Sequence, residues 1–366
     1  MFPSANSTMS MRNTRKRART GSIAAASNDG GASQPGNSRA AARKRDGEFW
    51  YSDGNIILVA RDVEFRVYKG ILAEHSPVFR DMFSLPHPTD EASVTGNTSC
   101  HVVHVSDSPE DLRHILRIYM AKSEPDPFSP GAPSFHAISA TIRLGHKYQI
   151  PRLVDHSVAY LKRYYTEDLD TWTTNNGQGP PGFTPRHAIG VVNLARLTGE
   201  TSLLPTAFLT CCTLDADIVG GLEREDGSHE HLSMADLGLC FAAKGKLVQE
   251  ALGNAMYILA PPCASNCLNP PACSARLSKL MKRASEMSMI IAQLGPFHSV
   301  MRLLWSPGKT DLFLCPRCWA LVTQRDTEWR AVLWRNLPGV LGLTNGPGDP
   351  ARRNRGDGEG GGEASQ

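Results

Sequence analysis

Nine cysteines occur in the 366 residues, and five of them fall where a metal site could form. Cys315-Pro316-Arg317-Cys318 sets two thiols around a proline-containing turn, while Cys263, Cys267 and Cys273 lie upstream in a Pro/Asn-rich stretch that reads as a loop. Two residues between thiolates let both sulfurs face one ion from a tight turn, and four such ligands close a tetrahedral zinc site. The upstream half is irregular, offering a C-x3-C and a C-x5-C, and Cys273 precedes Cys315 by 42 residues. Cys263 follows Pro261-Pro262 at the loop entrance, so the expected ligands are Cys267, Cys273, Cys315 and Cys318, with Cys263 as the alternative. One structural zinc there would leave no open position for a substrate. Two readings compete. The thiols could be small buried hydrophobes, or the CxxC could be a redox pair, although the βαβ pattern that should surround a thioredoxin-like motif is missing. Cys100, Cys211, Cys212 and Cys240 lie in apolar contexts and are expected in the core.

Little else in the chain points to chemistry. Gly308-Lys309-Thr310 resembles the end of a phosphate-binding loop, but Leu303 stands where that loop needs its first glycine, so it reads as a surface turn. His229-Glu230-His231 lies in a charged Gly/Ser stretch and reads as solvated. No GxSxG or HExxH motif occurs, and no nucleophile, base and oxyanion donor can be assembled from the sequence. No catalytic residue, no further cofactor and no small-molecule substrate are therefore expected.

The net charge of +3 hides an asymmetry, because residues 1–47 hold nine Lys/Arg against two Asp/Glu. The remainder is therefore mildly acidic, and any anionic partner would be sought by the arm. Arg15-Lys16-Arg17-Ala18-Arg19, echoed by Arg43-Lys44-Arg45, reads as a nuclear import signal, an electrostatic nucleic-acid contact or a solvated arm. No apolar h-region marks a signal peptide. The most apolar long window, Met287–Trp305, is broken by Gly295, Pro296, His298 and Arg302, too polar for a bilayer span. A cytoplasmic or nuclear protein without membrane contact is expected, and its cysteines should be thiols or metal ligands.

The elements that would position these residues follow from the apolar patterning. Residues 1–47 have almost no large apolar side chains and residues 344–366 are similar, so they read as a disordered basic arm and a disordered tail. Ile56–Ala60 is continuously apolar, as in a strand buried on both faces. Val63, Phe65 and Val67 alternate with polar residues as in a half-buried strand, so the two runs predict a hairpin. Ser76-Pro77 and Ser108-Pro109 each offer an N-cap and a first-turn proline. A further strand is predicted at 101–105, and helices from Ile138 to Gln149 and from Pro151. The expected core includes Ile57, Val59, Phe65, Leu72, Phe79, Met82, Val103, Leu112, Leu116, Ile142 and Tyr148. Beyond a Gly/Pro/Asn divider, Thr173–Pro185, the pattern turns helical: Ile189–Leu197, Thr201–Cys212, Ser233–Lys246 and a last helix carrying Trp329, Leu333 and Leu337.

Hairpin, short helix, strand and then helices make an α+β order, and the residues themselves resemble the BTB/POZ fold. The likeness is carried by Gly54–Val59, Phe65–Leu72, His75–Phe83, Val105–Leu112, Leu144–Ile150 and Leu161–Thr166, and is closest to BTB proteins of mushroom-forming fungi. Those relatives often carry cysteines in both of the places noted above. The resemblance implies a BTB/POZ domain, a small sheet with helices, over residues 48–170. A linker over 171–185 and a mostly α-helical region over 186–343 holding the zinc knuckle would follow. It implies an adaptor or scaffold that binds other proteins, self-associates or serves cullin-type ubiquitin ligases, and not an enzyme. The extra amphipathic helix on which many BTB homodimers rely has no match in the basic stretch Ala40–Tyr51. The reading from another class is a nuclear DNA-associated regulator, with nucleic acid met only through the basic arm.

Overall fold

The computed structural model describes residues 43–85, 93–95, 98–120, 132–304 and 313–343. The Arg15–Arg19 cluster, most of the basic arm, the tail 344–366 and Gly308-Lys309-Thr310 lie outside the described residues.

Five strands form one sheet: β1 (Lys44–Trp50), β2 (Ile56–Ala60), β3 (Val63–Val67), β4 (Ser93–Thr95) and β5 (Thr98–Val105), in the order β1-β3-β2-β5-β4. The two apolar runs make the expected hairpin, with Ile56 opposite Val67 and Ala60 opposite Val63. Every residue of β2 is buried, as its unbroken apolar run requires. β5 pairs parallel to β2, so the chain crosses over between them through α1 (Lys69–His75) and α2 (Pro77–Ser84). Ser76 caps α2, its Oγ accepting from the Phe79 N–H at 3.0 Å and donating to the Tyr148 carbonyl at 2.7 Å. Ser108 caps α3 (Pro109–Tyr119) in the same manner. α4 (Phe135–Lys147) and α5 (Pro151–Lys162) complete the first region.

β1 departs from the sequence reading. Lys44–Gly47 belong to the sheet and not to the arm, and the segment before the hairpin is a strand. Its residues are mostly polar, so apolar periodicity cannot reveal it; ion pairs fasten it instead. Asp46, 5% exposed, accepts from the Glu48 and Phe49 N–H groups and from Arg113 Nε at 2.8 Å. Arg117 grips Glu48 through two hydrogen bonds, and Arg45 lies over the Trp50 ring at 4.6 Å. Part of the basic cluster is thereby committed to structure.

The first core joins Phe65, Leu72, Phe79, Leu112, Leu116 and Tyr148 among others. Of the expected core residues only Met82 is merely half-buried. Phe79 is 1% exposed and stacks on Tyr148 with ring centroids 4.1 Å apart. A Phe79→Ala change is expected to lower stability by about 3–5 kcal/mol, checked by denaturant titration.

The rest is helical: α6 (Leu169–Thr174), α7 (His187–Thr198), α8 (Leu204–Cys211), α9 (Asp217–Gly220), a small hairpin of β6 (Leu222–Glu223) and β7 (His229–Glu230), then α10 (Met234–Leu259), α11 (Pro270–Glu286), α12 (Ser288–Leu294), α13 (Val300–Leu304), α14 (Pro316–Arg335) and α15 (Leu337–Val340). The expected helix at Ser233 runs on to Leu259, and the expected last helix breaks at Asn336. Thr173–Pro185 does not separate two cores. α6 enters that stretch with Trp172 buried, and one cluster joins Phe135, Ile138 and Ile142 to Ile189, Phe208 and Leu333. The last helix packs back as expected, with Trp334 Nε1 donating to the Glu167 carbonyl at 2.6 Å.

The β6–β7 hairpin ties the helical region to the sheet domain through ion pairs Arg61–Asp226, Arg224–Asp111 and Arg143–Glu230, and through His114–Glu225 at 2.8 Å. The reading of His229-Glu230-His231 as solvated holds for His229 and His231, which are exposed, and is corrected for Glu230. The Glu230 side chain is only 10% exposed and also accepts from Asn193 Nδ2 at 2.8 Å. Among the described residues no helix is long and apolar enough to cross a membrane.

Candidate metal centre

The helix starts of α11 and α14 converge. Asn269 caps α11, its Oδ1 accepting from the Ala272 N–H, and Pro270 occupies the first turn. Cys273 is therefore helical and fully buried, not a loop residue. Cys315 is the N-cap of α14, Pro316 opens that helix, and Cys318 lies in its first turn, 1% exposed. Cys267 comes from the preceding turn, closed by its own N–H to the Ala264 carbonyl.

The sulfurs of Cys267, Cys273, Cys315 and Cys318 all lie within 4.8 Å of one another. Cys267 and Cys315 are 3.7 Å apart, and the Cys315 N–H points at Cys273 Sγ from 3.4 Å. Zinc–sulfur bonds of about 2.3 Å at tetrahedral angles need sulfur–sulfur edges of about 3.7 Å, so the chain holds its thiols near the required spacing. Cys263 packs beside this group but is not part of it; its thiol faces the Pro270 carbonyl at 3.8 Å. Cys100, Cys211, Cys212 and Cys240 are buried, as expected.

The electrostatics suit an ion. Hydrogen bonds from the Cys318 and Leu268 N–H groups pull the Cys315 thiol down to about 6. Burial pushes Cys318 up to about 11 and raises Cys267 and Cys273. A protein-only cluster thus favours one thiolate, whereas a soft divalent cation would stabilise four. Two helix N-termini add positive potential. With four sulfurs facing inward the arrangement has the form of a closed, structural site. A thioredoxin-like pair would need a strand leading into Cys315; residues 313–315 are not a strand.

Spacing in the sequence pointed to the four thiols. It could not show that Asn269 and Pro270 start a helix whose first turn carries Cys273. The signal was there in the Asn-Pro-Pro run, an N-cap followed by first-turn prolines.

Comparison with known families matches residues 51–165 to the BTB/POZ domain. Comparison with curated proteins finds no match. The sheet with its helices is therefore a BTB/POZ domain, followed by a mostly helical region, and BTB/POZ domains are in general protein-interaction modules.

Proposed function

We propose that this chain, carrying a BTB/POZ domain over residues 51–165, is a non-enzymatic adaptor or scaffold. The domain match carries this reading. It is supported by the shared core, which fixes the helical region to the interaction domain as one body able to present a second surface. Self-association through the BTB domain and service to a cullin-type ubiquitin ligase are the partner classes the family suggests. The closer likeness to BTB proteins of mushroom-forming fungi rests on the sequence motifs. We further propose that Cys267, Cys273, Cys315 and Cys318 bind one structural zinc. The four convergent sulfurs support this: their donor chemistry and spacing suit zinc, and the ion would fasten α11 to α14.

The adaptor reading is tested by affinity purification of the tagged whole chain followed by mass spectrometry. Leu85, at the end of α2, is 63% exposed on the domain's surface, so Leu85→Glu should alter that surface without disturbing the core. A recurring set of co-purifying proteins, or the chain itself, diminished by Leu85→Glu, is the expected outcome. A profile equal to that of the tag alone contradicts the adaptor reading.

A further inference from the structure

The helix that starts at the sulfur cluster carries a second arrangement farther along. Trp319, Thr323, Asp326 and Arg330, spaced i, i+4, i+7 and i+11, share one face of α14 and line a cavity of about 1000 Å³. The Phe297–Arg302 segment and the Trp172–Gly177 turn supply its other sides. A second cavity of about 420 Å³ shares Trp172, Asn176, Gly177, Leu294, Phe297 and His298 with the first, so the two form one cleft.

Its two parts differ in chemistry. The smaller is lined by Tyr165, Phe183, Leu209, Leu247, Val248 and Pro296. Its one Lys, Arg, Asp or Glu among the described lining residues, Lys244, is already engaged by the Cys212 carbonyl at 2.9 Å and Asp215 at 3.1 Å. The larger presents Arg302, Arg330 and His298 against a single carboxylate among the described lining residues, Asp326. Asp326 is itself satisfied, by Asn254 Nδ2 at 3.1 Å and Arg330 Nη2 at 3.2 Å. Arg330 Nε, by contrast, is buried with no hydrogen-bond partner. Arg302 is exposed and makes no hydrogen bond or ion pair with the described residues. A buried donor without an acceptor is costly until one arrives, and a guanidinium matches a carboxylate in shape and charge.

We propose that this cleft docks a peptide segment of a partner protein, with an acidic side chain entering beside Arg302 and Arg330 and a large apolar side chain filling the smaller chamber. The inference rests on the adaptor reading and gives it a partner chemistry. The excess of cations is complementary to an acidic segment. The joined volume exceeds the roughly 300–1,000 Å³ typical of small-molecule pockets, which favours an extended peptide over a metabolite. α14 links this cleft to the cluster at its own N-terminus, so an ion there would also steady one wall of the cleft.

The test selects a phage-displayed random-peptide library on the whole protein, in parallel with Arg302→Glu. Arg302 is chosen because it has no hydrogen-bond or ion-pair partner to lose among the described residues. The wild type is expected to enrich peptides in which Asp or Glu stands near Leu, Phe or Trp. Arg302→Glu should bind those peptides about tenfold or more weakly, as reversing a facing charge implies, and its own selection should lose the acidic residues. Leu294→Asp, at the junction of the chambers, should weaken the apolar preference. The proposal is overturned if nothing is enriched, if the enriched peptides are not acidic, or if they bind Arg302→Glu unchanged. Failure here is separable from failure of the adaptor reading. Partners lost in Leu85→Glu but no acidic peptides would remove the cleft alone; acidic peptides without BTB-dependent partners would remove the adaptor reading alone.

Discussion

Cys318→Ser is expected to release the metal and to unfasten α11 from α14. Cys318 is 1% exposed on the first turn of α14, and Cys273 is fully buried on the first turn of α11. Between them stands a small core that includes Leu277, Leu280, Leu314 and Val322. That core gathers fewer buried residues than the core of the sheet domain or the one joining α4 to α7, and structural zinc binding in small peptides supplies about 10–16 kcal/mol of folding free energy. Here the helices have some packing of their own, so only part of that stabilisation is at stake. A loss above about 4 kcal/mol is expected for the core between α11 and α14, in the range reserved for lost metals and broken buried networks. Hydrogen exchange should show residues of α11 and of the first turns of α14 deprotected, while the BTB sheet keeps its protection. A chelator should reproduce this pattern in the wild type and add nothing in Cys318→Ser. Cys263→Ser, outside the cluster, should change stability by less than about 0.5 kcal/mol and retain the metal. The thiols must lose protons to bind, and burial raises three of the four, so metal affinity should fall as pH falls. Equal protection in Cys318→Ser and wild type would show that packing alone holds this region.

The second large effect is expected at Gly190. A Cβ there would lie 2.2 Å from Phe135 Cζ and 3.0 Å from Leu222 Cδ2. The Phe135 ring cannot retreat easily, because it stacks on His187 at 4.6 Å and meets Phe183 edge-on at 5.5 Å. Overpacking of this kind costs about 1–3 kcal/mol, occasionally more, and Gly190→Ala should reach or exceed the upper end. Phe135→Leu added to Gly190→Ala should recover part of the loss, giving a coupling energy of about 1 kcal/mol or more in a double-mutant cycle. The position matters because α4 belongs to the BTB domain and α7 to the helical region. If their core is shared, fluorescence and circular dichroism should report one denaturation transition, shifted as a whole by Gly190→Ala. Two transitions, with only the later helices affected, would contradict the shared core.

The sequence was legible where burial imposes a period. Ile56–Ala60 is apolar throughout because both faces are covered, and Ser76-Pro77 announces its helix by the chemistry of an N-cap. The thiols were legible because ligand spacing is a local constraint. β1 is hidden because its Asp46 and Glu48 are held by Arg113 and Arg117, residues far along the chain. The same holds for Glu230, whose partners Arg143 and Asn193 give no sign in a window around His229. Thr173–Pro185 looked like a divider because its Gly and Pro residues interrupt every period, yet Trp172 beside it is buried in the core that crosses the boundary. Gly190 carried no signal either, since its closeness to Phe135 depends on how α4 meets α7. The cleft is legible only in space, because Arg302 and Arg330 lie on different helices.

If the four sulfurs of Cys267, Cys273, Cys315 and Cys318 close around one ion as proposed, the purified chain carries a four-sulfur metal site. Zinc-edge X-ray absorption on the whole chain, purified without added metal, tests it most directly. About four sulfur neighbours at roughly 2.3 Å and no nitrogen or oxygen ligand are expected, with about one zinc per chain and the signal lost in Cys318→Ser. A metal-free protein, or a shell of mixed light atoms unchanged by Cys318→Ser, would contradict the account.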